Sequence, residues 1–350
     1  MSPIIVPQAE GIQLFTVPLP LEEGDLLGSP QIAWQAYGKP SDGKAVVVLH
    51  DLSHSHQALS TEVNGAYQPS GWGRELIGPG KALDPDVTPV IVPNLLGSPF
   101  GSTSPLTPDP HSGRPWGTAL PPLTVLDMAR GVSALLRALG LTRVRAVVGI
   151  GLGGLVALRL AALFPELADG VVVLGAARAL PEGLREKLGL TSQVLRMAPD
   201  NEDTPPLRER APNRTLSRLR MDYLKLLYGR DHLGSAYPDS AAAQAALEAE
   251  AASFADTFDP IAWSMLCSAY AGCDLTETFS KIHARVLLLA GATDALAPAG
   301  RVRDTYHQLT AAGVQARFVE LQGPGDHGTL LSDAHRLKGP VQDFLRWLRG

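Results

Sequence analysis

The chain has 350 residues, 45% of them hydrophobic and 19% charged, with a net charge of −5 and a pI near 6.0. That length suits one large α/β domain with an inserted subdomain, or two ordinary domains, and the composition does not suit disorder. The weakly acidic balance argues against general nucleic-acid binding and against a basic membrane-surface face.

Met1-Ser2-Pro3-Ile4 opens the chain without a basic region followed by an apolar core, and no apolar run is long enough to span a bilayer. A soluble, cytoplasmic protein is the expectation. Short apolar runs rich in Val, Leu and Ile then recur. Ala45 to Leu49, Pro89 to Pro93, Val144 to Val148, Gly170 to Leu174 and Arg285 to Ala290 read as strands of a parallel sheet covered on both faces. Between them, Val125, Met128, Val132, Leu135, Leu136 and Leu139 form one helical stripe, stopped by Gly140. Gly153 to Phe164 is a second helix, ended by Pro165. The alternation predicts a doubly wound α/β fold.

From about Leu180 to Ile282 the rhythm breaks. A polar stretch runs from Pro199 to Pro212, and an Ala-rich acidic helix covers Ser240 to Phe258. Cys267 and Cys273 are the only cysteines and suit a reducing compartment rather than a disulfide framework. This segment reads as a helical lid, 180–282, inserted into a core made of 1–179 and 283–350. Val314 to Leu321 is the last expected strand and Pro340 to Arg349 the closing helix.

The most informative stretch is Val144 to Leu155, where a strand enters a helix through Gly149-Ile150-Gly151-Leu152-Gly153-Gly154. Gly149, Gly151 and Gly154 match a dinucleotide fingerprint, but strand 170–174 ends in Gly175-Ala176 with no carboxylate to hold a ribose. Gly149, Gly151 and Gly153 match a nucleophile elbow, Gly-x-Ser-x-Gly, with glycine at the centre. Glycine relieves the strained backbone of such a turn and removes the hydroxyl an acyl-enzyme needs.

Further motifs follow in order: Gly71-Trp72-Gly73 to Ile77-Gly78-Pro79-Gly80-Lys81, Asn94-Leu95-Leu96-Gly97, Gly101-Ser102-Thr103-Ser104-Pro105, Gly113-Arg114-Pro115-Trp116-Gly117, Pro121-Pro122-Leu123-Thr124 and Phe258-Asp259-Pro260 to Cys273-Asp274-Leu275. Together they resemble the homoserine O-acetyltransferase family of the α/β-hydrolase superfamily. The resemblance covers most of the chain and implies an α/β-hydrolase fold. It puts Gly151 where that family has its serine. It makes Asp294, after the strand ending at Ala290, the candidate acid, and His327, after the last strand, the candidate base. Leu152 and Leu52 take the places whose backbone N–H groups build an oxyanion hole. His50-Asp51-Leu52-Ser53 resembles His-Ala-Leu-Thr of the family. Because backbone groups act there, substitutions in that loop carry little weight. No metal is expected, since His50, His54 and His56 lack the Asp-His pair of the metallo-hydrolase signature.

Arg218 matches the arginine expected to hold a homoserine carboxylate, with Arg220 an alternative alignment. Lys225 stands where a tyrosine is expected, and Gly328 where an aspartate should follow the histidine. These departures, with Gly151, predict a degenerate member without acetyltransferase activity, holding no bound cofactor. In that state it would be a binding, regulatory or partner subunit, open to a small-molecule ligand, with no nucleic acid and no membrane. The alternative is a working acyltransferase or hydrolase using another nucleophile or a water, with acetyl-CoA as cosubstrate and L-homoserine as acceptor if the family reaction survives. A third reading is an ordinary acetyltransferase in which Gly151 is engineered or a sequence error. The resemblance implies a homodimer through the lid. It also predicts a void at the missing side chain, and help from Gly328→Asp in restoring transfer.

Overall fold

The computed structural model describes residues 7–59, 71–197, 213–229, 233–234, 236–321 and 326–349. The main sheet is formed by β1 (Ala9–Leu14), β4 (Gln31–Tyr37), β5 (Val46–Leu49), β6 (Val90–Pro93), β7 (Val144–Ile150), β8 (Ala168–Leu174), β9 (Arg285–Gly291) and β10 (Ala316–Leu321). Their order across it is β1-β4-β6-β5-β7-β8-β9-β10, and β2 (Leu19–Pro20) and β3 (Leu26–Leu27) form a separate small ribbon. The strands from β6 to β10 pair parallel, while β1 and β4 add antiparallel pairs at one edge.

Every residue of β5 and β6 is buried, as expected for strands covered on both faces. Alternate residues feed two cores. Val47, Val147, Val171 and Leu288 pack on one side with the helices α1 (Val125–Ala138), α2 (Leu152–Leu163) and α7 (Ala299–Ala311). Val46, Val148, Val172 and Leu287 pack on the other with Leu76, Leu83 and Phe344, the last of these on the closing helix Lys338–Trp347. The start of α1 is fixed by a capping box between Thr124 and Asp127.

Between β8 and β9 the described residues contain no strand. They form α3 (Glu182–Met197), α4 (Arg214–Leu227), α5 (Ser240–Thr257), α6 (Pro260–Gly272) and a 3-10 turn, Thr276–Lys281. Here α3 packs on α6, and α4 on α5. The stretch Pro199 to Pro212 lies outside the described residues. Asp259, from the Phe-Asp motif, caps α6 by accepting from the N–H of Ala262 at 2.8 Å. Asp274, from the Asp-Leu motif, pairs with Arg178 at 2.9 Å and ties the end of this segment to the exit of β8. Both thiols are buried, and burial pushes Cys273 up to about 12 and Cys267 higher still, so neither is a thiolate at neutral pH. Among the described residues no helix is long and apolar enough to cross a membrane.

Candidate active site

Four loops meet beyond the carboxyl ends of parallel strands. They follow β5, β7, β9 and β10, where an open α/β sheet places its site. β5 and β7 are neighbours whose flanking connections run in opposite directions, which leaves a crevice at their ends.

The turn after β7 keeps the geometry of a sharp elbow. Gly151 has φ 50° and ψ −116°, a region that residues with a side chain adopt only under strain. Its two flanking glycines are fixed by close approach. A Cβ on Gly149 would lie 2.1 Å from the carbonyl oxygen of Gly153, and one on Gly153 would lie 2.3 Å from that of Leu49. Sequence reading placed Gly151 at the strand-to-helix turn, and the structure puts it there, at the start of α2.

The void expected beside Gly151 is filled. A Cβ on Gly151 would lie 2.1 Å from Oδ1 of Asp51 and 2.5 Å from its Cγ. The carboxylate of Asp51, projecting from the loop after β5, therefore stands where a side chain at 151 would begin. Oδ1 accepts a hydrogen bond from the N–H of Leu152 at 2.9 Å, and Oδ2 lies 3.5 Å from Nε2 of His327. The loop is braced from behind. Nε2 of His50 accepts from the N–H of Leu95 at 3.0 Å, which leaves Nδ1 protonated to donate to the carbonyl of Asp51 at 2.8 Å. His50 thus serves the backbone, and Leu52 follows as a fully buried residue.

His327 donates from Nδ1 to Oδ2 of Asp294 at 2.8 Å. The other oxygen of Asp294 accepts from the N–H groups of Leu296 and Ala297, each at 2.8 Å, so this carboxylate is rigidly aimed. Gly175 at the end of β8 makes room for the imidazole, because a Cβ there would lie 2.9 Å from Cε1 of His327. The structure thus brings Gly151, Asp294 and His327 together and adds Asp51. The array is carboxylate, imidazole, carboxylate, and all three side chains are almost fully buried.

Burial alone would lower the basicity of His327, but the charge and hydrogen bond of Asp294 and the charge of Asp51 outweigh it and raise its pKa to about 10. Burial would likewise raise Asp51, but the charge of His327 3.5 Å away, the nearby His54 and the N–H of Leu152 bring it down to about 2. At neutral pH the resting site is an imidazolium between two carboxylates. Burial holds His54 neutral, with a pKa of about 3.

The array opens into a cavity of about 760 Å³ whose walls include Asp51, Trp72, Arg220, Tyr228, Glu250 and His327. Arg220, not Arg218, faces it. Both lie on α4, but Arg218 is on the exposed side, whereas Arg220 is 2% exposed. The guanidinium of Arg220 pairs with Glu250 at 2.8 Å and lies over the ring of Phe254 at 4.5 Å. Two residues in the sequence separate by about 200° around a helix, so the choice between the two alignments is a choice of face. Lys225 is exposed and lies away from the cavity.

The space beside His327 is also taken. A Cβ on Gly328 would lie 2.5 Å from Cε1 of Tyr228, so an aspartate at 328 does not fit without displacing that ring, contrary to the help expected from Gly328→Asp. Asp326 does not substitute for it, because its Oδ2 accepts from the N–H of Gly229 at 2.9 Å, at the end of α4. Sequence reasoning missed Asp51 and Gly175. The signal for Asp51 was present: an acid in the oxyanion loop of a chain whose elbow lacks a nucleophile.

The family model for the α/β hydrolase fold matches residues 70–333. Homoserine O-acetyltransferase of Symbiobacterium thermophilum is 31% identical, over 99% of this chain and 97% of that protein. Serine O-succinyltransferase of Frateuria aurantia is 30% identical, over 95% of this chain and 97% of that protein. Among solved structures, homoserine O-acetyltransferase from Bacillus anthracis superposes with a TM-score of 0.83 at 21% identity, covering 96% of this chain and 97% of that one. Esterase E22 superposes with a TM-score of 0.84 at 20% identity, covering 96% of this chain and 99% of that one. With a family model spanning 70–333 and relatives matched over nearly their full lengths, the chain belongs to the α/β-hydrolase fold family and is homoserine/serine O-acyltransferase-like.

Proposed function

We propose that this protein does not move an acyl group from acetyl-CoA to L-homoserine, and that Gly151 stands where its relatives carry a nucleophilic serine. The observation that carries this reading is the carboxylate of Asp51 within 2.1 Å of the position of a Cβ on residue 151. Serine transfer needs a hydroxyl at the elbow and donors waiting for a developing oxyanion. Glycine supplies no hydroxyl. By family resemblance the donors are the N–H groups of Leu152 and Leu52, and that of Leu152 is already bound to an anion. A second negative charge building beside Asp51 would be repelled rather than stabilised.

The cavity still suits a small polar ligand, with Arg220 as the cationic wall that replaces Arg218 in the role of a carboxylate contact. The protein is proposed to be cytoplasmic and a homodimer formed through its helical segment. In support, Leu190, Val194 and Met197 recur at helical spacing on α3 and are all exposed.

The test is acyl transfer from acetyl-CoA and from succinyl-CoA to L-homoserine and L-serine, followed by thiol release. No transfer above the uncatalysed rate is expected of the wild type. Removing a triad nucleophile costs on the order of a million-fold in turnover. Robust transfer by the wild type that is lost in His327→Ala would overturn the proposal. It would also favour the second reading, a working acyltransferase or hydrolase with another nucleophile, for which Asp51 is the residue in position.

A further inference from the structure

We propose that Asp51 is a carboxylate nucleophile for a saturated carbon that bears a leaving group, forming an ester that His327 then hydrolyses with water. The inference rests on the proposed loss of serine chemistry and on the contacts of the two Asp51 oxygens.

Three roles are open to a carboxylate at this place. As a general base toward a hydroxyl or water it is poorly suited, since an oxygen with a pKa of about 2 takes protons weakly. As a nucleophile toward an acyl carbon it meets an obstacle, because the tetrahedral oxyanion would need the N–H of Leu152, which Oδ1 of Asp51 occupies. Displacement at saturated carbon needs no proton taken in the attacking step and no donor for a substrate oxyanion. No oxyanion forms on a substrate carbonyl, because there is none, and Asp51 lines the cavity with Oδ2 left off the Leu152 N–H that holds Oδ1. The later hydrolysis does form an oxyanion, and it forms on Oδ1 itself, the oxygen already on the Leu152 N–H at 2.9 Å. The donor that obstructs acyl transfer is thus in register for the second half of this reaction.

The charges follow the same sequence. Written for an epoxide, Oδ2 of Asp51 bonds to a ring carbon as the C–O ring bond breaks. The product is a neutral hydroxyalkyl ester once the alkoxide takes a proton. Esterification removes one of the two anions that keep His327 protonated, so the imidazolium releases that proton, which reaches the alkoxide through solvent in the cavity. Neutral His327, aimed by Asp294 at 2.8 Å, takes a proton from water. The hydroxide adds to Cγ of Asp51. The intermediate collapses, the Cγ–O bond to the alkoxide breaks, and the carboxyl proton passes to that alkoxide. Asp51 is again an anion and His327 again an imidazolium. Epoxide plus water has become a diol. For an alkyl halide the halide leaves as an anion, and the proton from His327 goes to bulk solvent.

The experiment uses the full-length protein with 1,2-epoxyhexane and, separately, 1-bromobutane. The acyl-transfer assay above is run in parallel. The wild type in water enriched in oxygen-18 is expected to incorporate the label into Asp51 over many turnovers, read by peptide mass spectrometry. In His327→Gln turnover is expected to fall at least about a hundred-fold, in line with loss of a general base, while one substrate adduct per chain accumulates on the Asp51 peptide. Acid quenching of the wild type during turnover should trap the same adduct, so the result does not depend on the variant folding. Asp51→Asn should give neither adduct nor label. The epoxide and bromide arms distinguish which leaving group the site serves.

Label found only in the product, or an adduct on any other residue, would overturn the proposal, as would no adduct from either probe at saturating concentration. If acyl transfer is absent and no adduct forms, the nucleophile proposal alone fails. If the wild type transfers acyl groups, the reading beneath it fails too.

Discussion

At the scale of single residues, the site is governed by one exclusion: a side chain at 151 and a carboxylate at 51 compete for the same space. Gly151→Ser alone therefore forces Asp51 aside and restores strain at φ 50°, and we expect a loss of roughly 1–3 kcal/mol in denaturant melts. Pairing it with Asp51→Ala should recover part of that loss, a positive coupling in a double-mutant cycle, and should allow slow hydrolysis of small esters that neither single variant shows. Additive losses would show that the two positions do not interact. The pKa shifts set a pH window. The value for His327 is raised from 6.5 to about 10, so its contribution to stability is complete below about pH 6.5 and disappears as pH rises through 10. That of Asp51 is lowered from 3.8 to about 2, so its contribution is present above 3.8 and lost as pH falls toward 2. Stability measured from pH 7 to 10.5 should decline. Asp51→Asn should flatten that decline and lower the midpoint of the His327 imidazole in a nitrogen-15 titration. An unchanged midpoint would mean that Asp51 does not help to hold the imidazolium.

At the scale of elements, the end of α4 is tied to the residues on either side of His327. The N–H of Gly328 donates to the carbonyl of Leu227 at 3.0 Å, and Asp326 receives the N–H of Gly229. Tyr228 sits between them, against Gly328. Gly328→Ala should cost roughly 1–3 kcal/mol by overpacking. Gly328→Ala with Tyr228→Ala should be less destabilised than the sum of the two single changes. Strict additivity would show that the ring yields freely. The inner parallel strands and most flanking helices were legible because burial on both faces leaves continuous apolar runs, and because the stripe of α1 and its cap are local signals. β1 was not legible. It lies at the sheet edge with Ile12 and Leu14 exposed, so its pattern carries no trace of a core. Asp294 and His327 could be placed from strand-end context. Asp51 shows in the sequence only as an acid in the oxyanion loop, and the packing of two loops against each other shows that its side chain enters the elbow.

At the scale of the whole molecule, α3 presents an apolar stripe that the described residues leave uncovered. Leu190 is 62% and Met197 82% exposed. If the helical segment forms a dimer interface, the wild type should run as a dimer in light scattering, and Leu190→Asp with Met197→Asp should shift it to monomer without loss of the fold. A monomeric wild type at high micromolar concentration would remove the proposal. The division of labour is that of the α/β architecture at large. A rigid sheet fixes four strand ends, and the loops above them are free to change chemistry without disturbing the cores beneath.

The exclusion between positions 51 and 151 also constrains how such a sequence can be reached or left. On this backbone a chain carries a side chain at one position or an acid at the other. A stepwise route between the two arrangements passes either through the strained pair, with serine at 151 pressed against Asp51, or through an intermediate with neither, glycine at 151 and a small neutral residue at 51. That intermediate has lost one chemistry before gaining another. A library of single substitutions will therefore score serine at 151 as intolerant and give no hint of its history. A pairwise library over the two positions will show two separate islands of fit sequences, joined by a narrow bridge of small residues.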